Sequence, residues 1–118
     1  LVECLQKPCT TIYNIPHLIK LCQNIDLIRL KKSIETAIDA HPYLKTSFSF
    51  DANAVARAKR NDEESAFVQL VKCYKLPSKD EMLRPFDVLG DRLYRAYIYD
   101  TEEESYLYLD IHHILADG

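Results

Sequence analysis

The chain has 118 residues, enough for one domain or part of one, and its 47% hydrophobic and 28% charged content is typical of a soluble globular protein. Its net charge is −3, and the densest basic run, residues 57–60, is soon followed by the acidic residues 62–64, which argues against a nucleic-acid surface. No apolar stretch approaches the roughly 20 residues of a membrane span, and the given sequence shows no signal-peptide pattern at its start.

The first half of the chain contains one clear helix. The later part of residues 15–23, rich in Ile and Leu, predicts a strand before it. Asp26 is a good N-cap, and apolar residues recur after it at helical spacing, which predicts a helix from Asp26 to Ala40. Pro42 disfavours helical geometry at His41 and ends the helix.

Shorter β segments follow the helix. Residues 44–50 alternate and predict a strand, residues 51–53 predict a turn, and residues 54–59 predict a returning strand. Residues 67–74, rich in Val, Phe and Tyr, predict a further strand. Ser78 is suited to cap a short helical turn after it.

The best strand pair lies at the C-terminal end. Residues 93–99 and 105–113 predict two strands, and the polar residues 100–104 between them suit a hairpin turn. Alternation along a regular second strand would place His113 on one face and His112 on the other, unless a bulge intervenes. The first face would also carry Leu107, Leu109 and Ile111, and the second would carry Tyr106, Tyr108 and Asp110.

The predicted elements indicate the fold class. One long helix among five or six strands predicts an α+β fold, with the helix packed on one face of a largely antiparallel sheet. The tyrosines at positions 94, 97, 99, 106 and 108 suggest an aromatic ligand surface, but cross-strand pairs on a half-buried sheet explain them more simply.

The last seven residues, 112–118, carry the strongest chemical pattern, HHxxxDG. His113 offers an imidazole for proton transfer, Asp117 a carboxylate four residues on, and Gly118 a place where backbone can approach a substrate. A metal site built from His112, His113 and Asp117 is the competing hypothesis. Neighbouring strand histidines diverge and no further ligand follows at a familiar spacing, so we expect no metal.

Cysteines and glycines exclude two other kinds of site. The cysteine gaps match no common zinc spacing, even with His17 included, and we expect reduced thiols. Gly90 and Gly118 are the only glycines, which rules out a glycine-rich phosphate loop. The cysteines are Cys4, Cys9, Cys22 and Cys73.

Four segments resemble motifs of the condensation-domain superfamily, in the same order. Residues 112–118 resemble its HHxxxDG signature, residues 13–16 its YNIP stretch, residues 41–48 its RHExLRTxF motif, and residues 84–87 with 93–95 its RPFD…LxR segment. This superfamily includes the condensation and epimerisation domains of nonribosomal peptide synthetases, chloramphenicol acetyltransferase and related acyltransferases. The RHExLRTxF motif departs from the family pattern. This chain has Ala40, Pro42 and Lys45 where the family has arginine, glutamate and arginine.

The resemblance implies a fold and an activity. It implies part of a chloramphenicol acetyltransferase-like lobe, with residues 1–118 forming a single partial domain, the N-terminal portion of a condensation domain. The intact domain would join an acyl thioester to an amine in secondary metabolism such as antibiotic biosynthesis. Both substrates would arrive on the phosphopantetheine arms of upstream and downstream carrier proteins, supplied by an adenylation domain, and the chain itself would bind no cofactor, nucleic acid or membrane. We expect the 118 residues alone to be inactive and to self-associate.

The resemblance also implies roles for the signature residues. His113 matches the histidine usually assigned to catalysis, where it would accept a proton from the attacking amine or hold that amine in line. Gly118 would bring its N–H near the thioester carbonyl and stabilise an oxyanion.

Four other residues are given structural roles in the same motif region. His112 would be held by hydrogen bonds beneath the loop. Asp117 would make a salt bridge that shapes the active-site loop, with Lys45, Arg95 or an arginine beyond residue 118 as its partner. Lys45 keeps the charge of the family arginine but loses its planar, bidentate fork.

Three alternatives share the same residues. Epimerisation domains and small-molecule O-acyltransferases carry the heptapeptide on the same fold. A non-catalytic module that presents the sheet to a partner is the third alternative.

Overall fold

A helix of 13 residues packs on one face of a four-stranded sheet, and the main hydrophobic core lies between them. The computed structural model describes residue 11, residues 14–90 and residues 92–116, so the predictions made for Tyr13, Asp117 and Gly118 lie outside the described residues. In chain order the elements are β1 (Asn14–Lys20), α1 (Leu27–Asp39), a 3-10 helix (Pro42–Lys45), β2 (Thr46–Phe50), β3 (Ala56–Arg60), β4 (Gln69–Lys72), α2 (Lys79–Met82), β5 (Tyr94–Asp100), β6 (Ser105–His112) and α3 (His113–Ala116).

The main sheet has the strand order β1-β6-β5-β4. Strand β6 pairs antiparallel with both β1 and β5, whereas β4 pairs parallel with β5. Strands β2 and β3 form a separate antiparallel hairpin. The predicted α+β class, with a largely antiparallel sheet and a helix on one face, is confirmed.

Helix α1 forms where the sequence predicts it. The Asp26 carboxylate accepts hydrogen bonds from the backbone N–H groups of Ile28 and Arg29, both at 3.1 Å, and so caps the N-terminus. The helix ends at Asp39, and Pro42 begins the 3-10 helix that leads into β2. None of the helices in the described part of the chain is both long and apolar enough to span a bilayer.

Strand β1 starts earlier than the sequence suggests. The strand covers Asn14–Lys20, whereas the prediction placed it in the later part of residues 15–23. Proline lacks the N–H that a ladder needs, but Pro16 is tolerated because β1 is an edge strand of the sheet that the described residues form.

The terminal hairpin is confirmed, with one correction at its end. Tyr97 lies opposite Tyr108 and Tyr99 opposite Tyr106, so four of the five tyrosines form cross-strand pairs, whereas Tyr94 lies opposite Ile111. The predicted second strand, residues 105–113, ends at His112. His113 begins helix α3, and therefore the alternation argument that placed its side chain with Leu107 does not apply to it.

The two faces of the main sheet carry different cores. On the α1 face, Ile98 and Leu107 pack in one buried cluster with Ile38 of the helix and Leu115 of α3. On the opposite face, Tyr99 and Tyr108 pack against Met82 of α2 in a second cluster. The cysteine predictions are only partly addressed, since Cys4 and Cys9 lie outside the described residues; Cys22 and Cys73 form no disulfide within them.

We expect the 118-residue chain alone to self-associate through the open edge of β1. Leu18 and Ile19 on this strand are 47% and 46% exposed, and no strand of the described residues pairs with its outer edge, so this edge is a template for a second strand. Size-exclusion chromatography with light scattering should show dimers or larger species, and Ile19→Lys should shift them towards the monomer. Ile28→Lys, at an exposed position of α1, should leave the distribution unchanged. A clean monomer for the unmodified chain would contradict the expectation.

Candidate functional site

The two adjacent histidines differ in burial and role at the point where β6 turns into α3. His112 is 3% exposed, and its Nδ1 accepts a hydrogen bond from the backbone N–H of Ile114 at 3.1 Å. A neutral ring that accepts at Nδ1 carries its proton on Nε2. His113 is exposed, and it lies between two residues that this hydrogen bond connects.

The surroundings of His112 favour the neutral imidazole. Burial and then the neighbouring His113 lower the pKa of His112 below its ordinary value of 6.5, while Asp110 acts in the opposite direction. The Phe86 ring meets the His112 ring edge to face, with centroids 6.0 Å apart. Protonation at Nδ1 would remove the acceptor that Ile114 uses.

We therefore expect the free energy of unfolding to fall as the pH is lowered below about 6.5. In that range the unfolded chain binds a proton at residue 112 that the folded chain resists, so the stabilisation is complete above 6.5 and is lost on acidification. His112→Asn keeps an acceptor oxygen near Ile114 but cannot titrate, and it should flatten the dependence in urea unfolding at a series of pH values. His17→Asn, at an exposed histidine, is the matched control, and an unchanged slope in His112→Asn would contradict the assignment.

A fully buried carboxylate lies two residues before His112. Asp110 is 0% exposed, and its Oδ2 accepts hydrogen bonds from the Tyr108 hydroxyl and the Asn14 amide, both at 2.8 Å. Arg95 on β5 lies directly opposite, with its Nη1 3.7 Å from the same oxygen. These four residues, Asp110, Tyr108, Asn14 and Arg95, are the Asp110 cluster.

The cluster fixes the segment that follows α2. Arg95 donates to the main-chain carbonyls of Arg84 and Pro85, the second at 2.8 Å, and Asn14 donates to the Arg84 carbonyl at 2.8 Å. The Arg95 guanidinium also stacks 3.9 Å from the centroid of the buried Phe86 ring. Residues 84–86 are therefore held from both β1 and β5.

Burial shapes the electrostatics of this cluster. Burial, followed by the charge of Arg84, lowers the pKa of Arg95, and the Asp110 carboxylate opposes that effect. Burial and the hydrogen bond to Asp110 raise the pKa of Tyr108, so its hydroxyl stays protonated and donates. Since arginine keeps its proton in proteins, the cluster holds a guanidinium cation beside the buried carboxyl group of Asp110.

The structure brings three of the sequence motifs together. Asn14 of the YNIP stretch, residues 84–86 of the RPFD segment, Arg95 of its LxR end and His112 of the heptapeptide lie in one contact network. Sequence reasoning did not single out Asp110 or Tyr108 as site residues. The available signal was a charged residue in the middle of an apolar strand, two positions before His112.

Lys45 is separate from this network. Its side chain is 6% exposed, and its Nζ forms a salt bridge of 2.6 Å with Asp39, the last residue of α1. Arg95, the other predicted partner of Asp117, contacts Asp110 and the two carbonyls. A salt bridge from either residue to Asp117 stays a prediction.

An apolar groove of about 330 Å³ opens on the face of the main sheet that packs against α1. Helix α1 contributes Ile34, Ala37 and Ile38 to its wall, and β6 contributes Leu109 and Ile111. The last β6 residue that lines the groove is Ile111, two positions before His113 in the sequence. Within residues 14–90 and 92–116, no three side chains of the metal-binding types come together.

The sequence matches a known family over almost its whole length. A family model described as Condensation domain matches residues 5–118. Bacitracin synthase 3 from Bacillus licheniformis is 31% identical over 90% of this chain, and gramicidin S synthase 2 from Aneurinibacillus migulanus is 30% identical over 90% of it. The chain spans only 2% of the length of each of these two relatives.

Solved structures share the fold at low sequence identity. The starter condensation domain of rhizomide synthetase aligns with 96% of this chain and 30% of its own, at a TM-score of 0.72 and 13% identity. The X-domain from teicoplanin biosynthesis, solved in complex with OxyB, aligns with 85% of this chain and 23% of its own, at a TM-score of 0.66 and 19% identity.

Proposed function

Because the chain belongs to the Condensation domain family, we propose that the intact protein forms amide bonds between carrier-bound substrates. The donor is an acyl or peptidyl thioester on one carrier protein, and the acceptor is the amine of an aminoacyl thioester on another. The observation that supports this most is the exposed imidazole of His113. The residues on either side of it are connected by the hydrogen bond from the Ile114 N–H to the His112 side chain.

The proposed reaction needs one proton acceptor and one place for negative charge. The acceptor nitrogen attacks the thioester carbonyl carbon, the carbon–sulfur bond breaks, and the donor phosphopantetheine leaves as a thiolate. His113 accepts the proton lost by the amine and returns it to that thiolate, or holds the amine in line for attack. In the same proposal the N–H of Gly118 stabilises the carbonyl oxygen, and Asp117 shapes the loop through a salt bridge.

The proposal includes partners and a place in a larger protein. Residues 1–118 are assigned to the N-terminal portion of one condensation domain, and the other wall of the substrate channel to the rest of the intact protein. The partners are upstream and downstream carrier domains and an adenylation domain of the same synthetase, in the cytoplasm. Phosphopantetheine belongs to the carriers, so it is a substrate arm and not a cofactor of this chain.

The test is amide formation between two loaded carrier proteins. The intact protein, supplied with ATP and an amino acid mixture for its own adenylation domains, should give a new carrier-bound amide in mass spectrometry. Acceptor carrier without phosphopantetheine is the control, and the 118-residue chain alone should give no product. Turnover by that chain would overturn the expected inactivity. Inversion of the donor Cα without a new amide would identify epimerisation in place of condensation.

An interaction module is the second candidate function. One structure with this fold is the X-domain in complex with OxyB, which favours protein binding as an alternative use of the same scaffold. A module of this kind would not depend on an exposed imidazole at position 113. Substitution of that residue separates the two candidates.

A further inference from the structure

A continuous series of contacts connects the Asp110 cluster to the exposed histidine. Asp110 orders Arg95, Asn14 and Tyr108 around one carboxylate oxygen. Arg95 and Asn14 hold the backbone of residues 84–85, and this places Phe86 beneath the guanidinium. The hydrogen bonds to the Asp110 carboxylate are buried or partly buried, where hydrogen bonds to charged groups are strongest, whereas those to the carbonyls of residues 84–85 lie nearer the surface.

The second part of the series runs from Phe86 to the start of α3. The Phe86 ring packs edge to face on the His112 ring, with an angle of 69° between the ring planes. His112 is also anchored through its backbone N–H, which donates to the Leu93 carbonyl at 2.9 Å. Its Nδ1 then holds the N–H of Ile114. Residues 112 and 114 are thus both fixed, and the direction of the residue between them is fixed with them.

We propose that the Asp110 cluster positions His113 for reaction, acting through residues 84–86 and His112. Arg95, Tyr108 and Asp110 are positioning residues in this proposal, since they act on His113 only through residues 84–86 and His112. This inference rests on the proposed function. It adds that the RPFD…LxR segment and the asparagine of the YNIP stretch hold His113 in its orientation.

The chain offers two conservative variants with matched controls. Arg95→Lys keeps the charge beside Asp110 but loses the planar fork that spans two carbonyls and stacks on Phe86. Its control is Arg92→Lys, because Arg92 pairs with Glu64 and belongs neither to the Asp110 cluster nor to residues 84–86. Tyr108→Phe removes only the hydroxyl that donates to Asp110. Its control is Tyr99→Phe on the same face of the sheet.

The first readout is single-turnover amide formation by the intact protein with loaded carriers. A displaced histidine lowers the rate constant, whereas a loss of folded protein lowers only the amplitude. We expect the rate constant to fall about 100-fold in Arg95→Lys and about tenfold in Tyr108→Phe. Both control variants should stay within about twofold of the unmodified protein. If Arg95→Lys does not fold, the rate constant of Tyr108→Phe alone tests the positioning role of the Asp110 cluster.

The second readout does not depend on activity. Hydrogen exchange with mass spectrometry, on a peptide that contains residues 111–116, should show the Ile114 amide exchanging about tenfold faster in the two test variants only. Unchanged exchange and rate constants in the test variants, or equal changes in the controls, would overturn the positioning role. If the unmodified protein forms no amide, the proposed function fails, and the exchange comparison alone decides whether the cluster orders residues 112–114.

Discussion

His113→Ala in the intact protein should lower the rate of amide formation by about 10²- to 10⁴-fold, the usual contribution of a positioned acid–base group. Alanine removes the group that accepts the amine proton, and circular dichroism of the variant checks that the fold is retained, since the side chain is exposed at the start of a short helix. Single-turnover assays with loaded carriers measure this directly. His17→Ala, at an exposed histidine on β1, is the matched control and should be close to the unmodified protein.

The outcome also separates the candidate functions. Unchanged product formation by His113→Ala would favour positioning by backbone alone, or the interaction module. A reduced rate constant with unchanged binding of both carriers would place the effect in the chemical step. Equal loss of carrier binding and turnover would mean that the side chain contributes to docking instead of proton transfer.

Arg95→Met should lower the free energy of unfolding by about 3 kcal/mol, at the lower end of the range for breaking a buried ion pair. Methionine fills much of the space of the aliphatic stem, but it leaves a fully buried Asp110 carboxylate without its cation. It also leaves the carbonyls of Arg84 and Pro85 without their charged donor. The loss is measured on the intact protein in increasing urea, with the proteolytic cleavage of this region as the signal for its unfolding.

A second arginine provides the comparison for this prediction. Arg92 pairs with Glu64 at 3.2 Å, but both side chains are about one-third exposed, so solvent screens the pair. Arg92→Met should cost about 1 kcal/mol or less, including its stacking on Phe67. Equal losses in the two variants would mean that Arg95 contributes only as a surface charge.

Local features of this fold could be predicted from the sequence. The Asp26 cap, the helical spacing after it and the polar turn each act over a few residues, and each was found. The turn was predicted at residues 100–104 and is one residue shorter, because β5 runs to Asp100. The hairpin register was not available in the same way, because a turn at residues 100–104 would place Tyr99 opposite Ser105 and Arg95 opposite Leu109. The structure pairs Asp100 with Ser105, and this shift of one residue places Arg95 opposite Asp110.

Non-local features could not be predicted in this way. The pairing of β1 with β6 and the parallel pairing of β4 with β5 depend on packing across the whole chain, which no local pattern encodes. The end of β6 at His112 has a different cause. No proline or glycine marks it; instead the His112 imidazole captures the Ile114 N–H and turns the chain.

The pairing of β1 with β6 has a consequence during translation. The hydrogen bond from Asn14 to Asp110 joins residues 96 positions apart, so the first strand leaves the ribosome long before its partner is made. At about 5–20 residues per second, that interval lasts from roughly 5 to 20 seconds. For this time Leu18 and Ile19 are displayed on a nascent chain with no sheet to join, which makes this segment a natural target for chaperones that bind extended apolar peptides.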